Sequence, residues 1–235
     1  MAIPWTATVA AASQALPPLA ALRHGRRLPA ARGWIVAWGL LLLASDAIQF
    51  AYAVQGRHNL WLRYLVGPFE AGTVLWALAL WHADSVARLG LRYAVLVFGL
   101  TWILLVGFVE RITTFGLVTG PLLSLVVLGA TLVTLLHRIR VQEDGLLRED
   151  WFWICTGLAL WYGSAAALEP LSRLLVESQP AVVYSAYRVK AVVDIVASLA
   201  IARGMLCPIP PPSGGPSSPA SSPSSSSSPR SVSPW

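Results

Sequence analysis

Apolar residues are gathered into seven long runs along the chain, and short polar segments separate these runs. An α-helix rises about 1.5 Å per residue, so it needs about 20 apolar residues to cross the hydrocarbon core of a bilayer. The pattern therefore predicts an all-α bundle of seven membrane-spanning helices. The predicted spans are 3–22, 34–54, 60–82, 93–110, 117–137, 151–169 and 182–203.

The first of these runs is the least regular, because Pro4, Pro17 and Pro18 interrupt it. A cleaved signal peptide carries basic residues ahead of its apolar stretch, whereas here the basic residues follow the run. Proline is tolerated in membrane helices where neighbouring groups satisfy the freed backbone. We therefore expect a proline-bent first helix that remains part of the protein.

The C-terminal segment differs in composition from the rest of the chain. After Cys207 nearly every residue is Pro, Ser or Gly. Such a segment cannot bury enough apolar surface to offset the entropy of ordering it. The sequence thus predicts a seven-helix membrane domain over 1–206 and a disordered, Pro/Ser-rich cytoplasmic tail over 207–235.

Composition agrees with a membrane environment. Hydrophobic residues make up 56% of the chain and charged residues only 12%, whereas a soluble domain has about 25% charged residues. This is too little charge to cover a water-exposed surface, so a lipid bilayer is the expected surrounding. The net charge of +6 would favour nucleic acid as a partner in a soluble protein. Here the arginines lie between apolar runs, and no nucleic-acid partner is expected.

The distribution of arginine predicts the orientation in the membrane. Ten arginines lie on one side of the predicted spans and four on the other. Because basic loops stay in the cytoplasm, the first side is predicted to be cytoplasmic, with the N-terminus outside and the C-terminus inside. The first group comprises Arg23, Arg26, Arg27, Arg32, Arg88, Arg92, Arg138, Arg140, Arg148 and Arg203, and the second comprises Arg57, Arg63, Arg111 and Arg173.

Three short stretches carry a resemblance: Leu-Pro-Pro-Leu at 16–19, Asn-Leu-Trp-Leu-Arg-Tyr at 59–64 and Asp-Trp-Phe-Trp-Ile at 150–154. In these stretches and their order, the chain resembles an uncharacterised family of small bacterial seven-helix integral membrane proteins. The resemblance covers about residues 10–205 and implies a seven-helix topology in a bacterial inner membrane. It implies no activity, because the family has none assigned.

Several polar and charged side chains fall within the predicted spans rather than in loops. A charge near the bilayer centre costs about 2.5–3.5 kcal/mol on insertion scales, so each such residue requires a reason. The spacing of Tyr187, Lys190 and Asp194 places them on one stripe of the last span. The candidates for ligand binding or ion pairing are Asp46, Gln49, Arg63, Glu70, Tyr187, Arg188, Lys190 and Asp194.

Two interpretations of these residues stay open. These residues lie in the outer halves or near the middle of their spans, so they could line a polar pocket that is open to the outside. Such a pocket would suit a sensor or binding module. They could equally form buried ion pairs that fix helix register. A sensor without a soluble signalling domain would need a membrane or signalling protein as its partner. The alternative functions are a transporter or channel subunit that uses the same charges, and an enzyme that uses Asp46, Glu70 or Asp194 as acid and base.

The motifs give little support to cofactor or metal chemistry. Lys190 is the only lysine, which is typical of a retinal-binding last helix, but Ala186 stands one turn before it where an acid would be needed. We therefore expect neither retinal nor another cofactor. The four histidines form no HxxxH or HExxH motif, and the two cysteines form no CxxC. No metal site and no catalytic residue are predicted.

The predicted orientation can be tested with reporter fusions after Gly33 and after Cys207. Both reporters should indicate the cytoplasm, because six predicted crossings separate the two positions and the arginine excess places both on the inner side. An external signal at either position would contradict the seven-span topology.

Overall fold

The computed structural model of the protein describes residues 5–110, 116, 118–141, 145–175 and 180–208. Over these residues all regular structure is helical, which confirms the predicted all-α class. Two 3-10 helices, Leu22–Arg27 and Leu146–Arg148, precede α3 and α7. The α-helices of the described part are α1 (Trp5–Ser13), α2 (Leu16–Ala21), α3 (Ala30–Val54), α4 (Trp61–Trp81), α5 (Ser85–Phe108), α6 (Thr119–Val141), α7 (Asp150–Leu175) and α8 (Pro180–Met205).

Within the described part of the chain, five helices are long and apolar enough to cross a membrane: α3, α4, α5, α6 and Asp150–Leu171 of α7. The chain therefore has the helices of a membrane protein, as its hydropathy predicts. The helix α8 is also long but carries several charges, and the first predicted span is divided into α1 and α2, so seven crossings stay a prediction. Of the predicted tail, everything beyond Pro208 lies outside the described residues.

The prolines of the first run start a new helix instead of bending one. Pro17 and Pro18 occupy the first turn of α2, where a missing N–H has no helical partner to lose. The two short helices pack against α8. The Ser13 hydroxyl donates to the Ala10 carbonyl at 2.7 Å and lies 3.2 Å from the Ser198 hydroxyl of α8, from which it can accept. Gln14 lies at the break between α1 and α2.

The helix α5 begins before the predicted start at residue 93. The carboxylate of Asp84 caps it, accepting hydrogen bonds from the backbone N–H groups of Val86 at 3.1 Å and Ala87 at 3.2 Å. These bonds satisfy donors that a helix N-terminus leaves unpaired, and they lower the pKa of the Asp84 carboxyl. The cap therefore allows Arg88 and Arg92 to lie on the helix although hydropathy places them in a loop.

A buried arginine joins three helices at one side of the bundle. Arg32, in the first turn of α3, is 1% exposed. Its Nε donates to the Asp150 carboxylate at 2.7 Å, at the start of α7. Its Nη1 donates to the carbonyl oxygens of Cys207 at 2.8 Å and Met205 at 3.3 Å, at the end of α8. Arg32 was expected in a basic loop, and its burial identifies it instead as a structural residue that neutralises the negative end of α8.

Contacts at the same side show that neighbouring long helices run in opposite directions. Trp76, near the end of α4, lies against Arg92, near the start of α5. His82, just after α4, is 3.1 Å from the Thr134 hydroxyl near the end of α6. We call this side, where α3, α5 and α7 start and α4, α6 and α8 end, the arginine-rich end. We call the opposite side the Glu70 end.

Small residues allow α7 and α8 to pack closely. A Cβ atom at Gly157 of α7 would lie 2.7 Å from the carbonyl oxygen of Ala197, and one at Gly204 of α8 would lie 2.8 Å from that of Asp150. Neither distance leaves room for a side chain, so close approach of the two backbones requires glycine at both positions. The apolar core beside this contact includes Ile35, Leu78, Val127, Ile154, Leu158 and Ile201.

A proline inside α4 is compensated by a neighbouring helix. Pro68 has no N–H, so the carbonyl oxygen of Tyr64, four residues earlier, loses its helical donor. The indole Nε1 of Trp102, on α5, donates to that oxygen at 2.9 Å. The Trp102 ring lies against Gly67, where a Cβ atom would clash with it. Pro68 thus leaves the Tyr64 carbonyl free to accept a hydrogen bond, and Gly67 provides the space for the Trp102 ring that donates it.

A double-mutant cycle should measure this compensation. Trp102→Phe should lower the free energy of unfolding by about 1–3 kcal/mol, because it leaves the buried Tyr64 carbonyl without a donor. In a Pro68→Ala background the helix restores that donor, so the same substitution should cost less. Unfolding in detergent, followed by circular dichroism, gives both values. Equal costs in the two backgrounds would show that Trp102 acts by packing alone.

Candidate functional site

A chain of buried hydrogen bonds crosses three helices toward the Glu70 end. Glu70, on α4, is 2% exposed, and its Oε1 accepts a hydrogen bond of 2.9 Å from the Tyr162 hydroxyl on α7. The Tyr162 oxygen in turn accepts a bond of 2.9 Å from the Trp38 indole on α3. Every donor in this chain has an acceptor, as is usual for buried polar groups.

The base nearest to Glu70 in sequence pairs with another acid. Arg63, two turns before Glu70 on α4, donates from Nη2 to Glu169 on α7 at 3.2 Å. Gly120 of α6 leaves room for this carboxylate, since a Cβ atom there would lie 2.7 Å from Glu169 Oε2. Arg63 also remains within electrostatic range of Glu70 and Asp46. The ion pair therefore joins α4 to α7, while the positive charge of Arg63 also acts on Glu70 and Asp46.

The last helix contributes an ion pair of its own. Lys190 and Asp194 are four residues apart on α8, and their charged atoms are 2.6 Å apart. The Ser164 hydroxyl of α7 lies 3.5 Å from the same carboxylate, and the Lys190 ammonium is 5.3 Å from the ring centre of Trp161. The ion pair thus faces α7 and its aromatic side chains.

Asp46 completes the group from α3. Its Oδ2 accepts a hydrogen bond of 2.9 Å from the amide of Gln14, at the break between α1 and α2. Arg63, Lys190 and Asp194 all lie within electrostatic range of it. The charged residues Asp46, Arg63, Glu70, Glu169, Lys190 and Asp194, with their neutral partners Gln14, Trp38, Tyr162 and Ser164, are called the Glu70 cluster below.

Three of the eight candidate residues from the sequence lie apart from these bonds. Gln49 donates to the Ser45 hydroxyl one turn earlier on α3, at 3.0 Å. Arg188 is exposed and lies 6.0 Å from the ring centre of Tyr184 on its own helix. Tyr187 is 45% exposed. The other five candidates, Asp46, Arg63, Glu70, Lys190 and Asp194, belong to the Glu70 cluster.

Sequence reasoning missed most of the partners. Glu169, at the end of the sixth predicted span, was not among the candidate residues, yet it forms the ion pair with Arg63. Tyr162 and Glu169 are seven residues apart and therefore share one face of α7, and this spacing could have linked them. Trp38 and Gln14 carry no comparable signal, because an indole or an amide in an apolar run is usually satisfied locally.

The charges of the Glu70 cluster do not balance. It contains four acids, Asp46, Glu70, Glu169 and Asp194, and two bases, Arg63 and Lys190. Each base forms an ion pair with one acid. The carboxylates of Asp46 and Glu70 are bonded instead by the neutral groups of Gln14 and Tyr162. If all four acids are ionised, the cluster has two negative charges in excess.

A second buried polar contact lies at the arginine-rich end. The Thr134 hydroxyl donates to the carbonyl of Ala130 at 2.8 Å, so it accepts from His82 Nε2, and His82 Nδ1 is left without a partner among the described residues. Burial, reinforced by His137 and Arg138, lowers the pKa of His82. The described residues contain no group of three metal-ligating side chains.

No protein family, curated protein or solved structure matches the chain. The functional argument therefore rests on the residues of the Glu70 cluster themselves.

Mutation of the Lys190–Asp194 pair should reveal how far its members depend on each other. Lys190→Met or Asp194→Leu alone should each lower the free energy of unfolding by about 3–5 kcal/mol, because each leaves an uncompensated buried charge. The double variant should be more stable than either single variant. Thermal unfolding of all four proteins in one detergent measures this. Additive losses would show that the two charges act independently.

Proposed function

We propose that the chain is a multi-pass protein of the bacterial inner membrane, with its N-terminus outside and seven crossings, in which the Glu70 cluster forms a polar pocket open to the outside. The pocket binds a small cationic ligand, and the protein acts as a sensor or binding module. Its output then passes through a membrane or signalling protein partner. The excess of acids over bases in the cluster carries this proposal.

The pairing pattern favours a cation over an anion. The two bases are already held by acids, Arg63 by Glu169 and Lys190 by Asp194. An anion would have to compete with these carboxylates. A cation would instead meet the two acids that lack a basic partner, Asp46 and Glu70, and would reduce the unfavourable charge that they bring into the bundle.

An unused acceptor next to Asp46 favours a ligand that donates hydrogen bonds. The amide nitrogen of Gln14 is bonded to Asp46, but its Oε1 is buried and has no partner among the described residues. A buried acceptor without a donor costs about 1–3 kcal/mol. An ammonium group beside the bonded pair of Gln14 and Asp46 would supply that donor and place its charge next to the carboxylate.

The aromatic side chains are compatible with such a ligand. Trp161 already lies near the Lys190 ammonium, and its ring centre is 5.8 Å from that of Trp38 in an edge-on arrangement. Indole faces attract cations, most strongly where water is excluded. The same groups that surround the charge of Lys190 could therefore contact the methyl or methylene groups of an organic cation.

A transporter is the weaker alternative. A proton or ion path would have to continue from the Glu70 cluster toward the arginine-rich end. The hydrogen-bond chain from Glu70 ends at Trp38, whose indole N–H donates but cannot accept. Beyond Trp38 the neighbouring core side chains, such as Ile35, Leu78 and Leu158, are apolar and fully buried. They offer no further relay group.

Binding of methylammonium, measured by isothermal titration calorimetry on the purified protein, tests the proposal. Glu70→Gln should raise the dissociation constant about tenfold, equivalent to about 1.4 kcal/mol, because it removes one of the two unpaired charges. Glu110→Gln is the matched control, since Glu110 is an acid at the same end that caps α6 through Thr119 and lies outside the cluster.

Two results would contradict a cationic ligand. Equal losses of affinity in the Glu70 and Glu110 variants would assign the binding to general surface charge. Binding of acetate, without binding of methylammonium, would assign the site to anions. Tetramethylammonium, which has no N–H group, should bind more weakly than methylammonium if the Gln14 acceptor contributes.

A further inference from the structure

Three arginines at the arginine-rich end lie over tryptophan rings. Each guanidinium carbon is within 6.0 Å of the ring centre, which is the range of an attractive cation–π contact. The pairs join α5 to α4, α6 to α7 and α8 to α7, so they are distributed around the bundle. They are Arg92 over Trp76 at 4.9 Å, Arg138 over Trp151 at 5.2 Å and Arg203 over Trp153 at 6.0 Å, and they are called the Arg–Trp belt below.

The belt has no acidic partners among the described residues. Among the described residues of this end, Arg32 is the only arginine that forms a salt bridge, and its partner is Asp150. Asp84 is engaged in capping α5, which leaves Glu149 as the remaining described acid at this end. Against these three acids stand nine described arginines, namely Arg23, Arg27, Arg32, Arg88, Arg92, Arg138, Arg140, Arg148 and Arg203.

The stacked guanidinium groups still have hydrogen bonds to donate. The Nε atoms of Arg92 and Arg138 are buried and bond to no described acceptor. Contact with an indole restricts a guanidinium group, and the N–H groups that face away from the ring remain available. That edge matches two oxygens of a phosphate, and an arginine held in this way loses little entropy on binding.

We propose that the Arg–Trp belt binds the phosphate groups of acidic membrane lipids. The position favours lipid over a soluble anion, because the belt lies at the ends of helices whose outer surfaces are apolar. On α5, Leu89 and Leu96, on either side of Arg92, are 52% and 68% exposed, and they offer a surface for the acyl chains below a bound headgroup. The inference depends on the chain lying in a membrane and is independent of the ligand proposed for the Glu70 cluster.

Lipid selectivity at the protein surface provides the test. The wild-type protein is reconstituted in phosphatidylcholine vesicles that contain a trace of spin-labelled phosphatidylglycerol or spin-labelled phosphatidylcholine. Electron paramagnetic resonance then gives the fraction of each label immobilised by the protein. We expect phosphatidylglycerol to be preferred about fivefold, which corresponds to about 1 kcal/mol for an arginine near an anionic surface.

Variants separate stacking from simple charge. Arg138→Gln should reduce the preference, and Arg138→Lys should reduce it nearly as much, because lysine keeps the charge but loses the stacked planar donor. Arg140→Gln is the matched control, since Arg140 is exposed and lies in the same last turn of α6. It should retain most of the preference. If Arg138→Gln does not fold, Arg92→Lys provides the same comparison at another pair.

Three outcomes would overturn the proposal. One is a wild-type protein with no preference for phosphatidylglycerol. Another is a preference that the Arg138 and Arg140 substitutions reduce equally, or that lysine at Arg138 and at Arg92 leaves unchanged. In either case general surface charge would be sufficient to explain the preference. The third is a preference abolished by inorganic phosphate but not by chloride of the same ionic strength, which would assign the belt to a soluble anion.

Discussion

A polar group buried between these helices is costly unless another group of the protein bonds it, and most of the specific contacts in the bundle follow from that constraint. The carbonyl that Pro68 leaves without a helical donor receives the indole of Trp102. The carbonyls at the end of α8 receive the guanidinium of Arg32, whose charge is in turn balanced by Asp150. In both cases the compensating group comes from another helix, so satisfying the backbone also fixes how the helices pack.

The sequence predicted the helices well because hydropathy reports directly on burial in lipid. It failed where local chemistry overrode hydropathy, as at Asp84, whose cap allows α5 to begin among arginines. It also placed Arg32 in a loop, since an isolated arginine next to an apolar run does not reveal whether it is buried. Helix periodicity found Lys190 and Asp194, which share one helix. It could not pair Arg63 with Glu169, because that pairing depends on the rotation of α4 relative to α7.

The Glu70 cluster and the arginine-rich end are opposite in charge. The Glu70 cluster has more acids than bases, whereas the described part of the arginine-rich end has nine arginines against three acids. Arginine serves two different purposes in the bundle. Arg63 and Arg32 form ion pairs within the bundle, while the arginines of the Arg–Trp belt are held by aromatic rings and keep donors free. The predicted orientation rests on these same arginines and stays a prediction, and their contacts with tryptophan rings are the observation behind the proposed lipid site.

The sequence left two interpretations of the intramembrane charges, a polar pocket and a set of structural ion pairs, and these apply to different residues. Arg63 with Glu169, and Lys190 with Asp194, are paired, so fixing helix register is sufficient to explain them. Asp46 and Glu70 are not explained in this way, because a neutral amide and a neutral hydroxyl do not offset a carboxylate charge. A bundle selected for stability alone would replace these two acids at little loss. Their position beside the unused acceptor of Gln14 is the observation on which the proposed ligand rests, and in that proposal the ion pairs around them form the scaffold of the pocket.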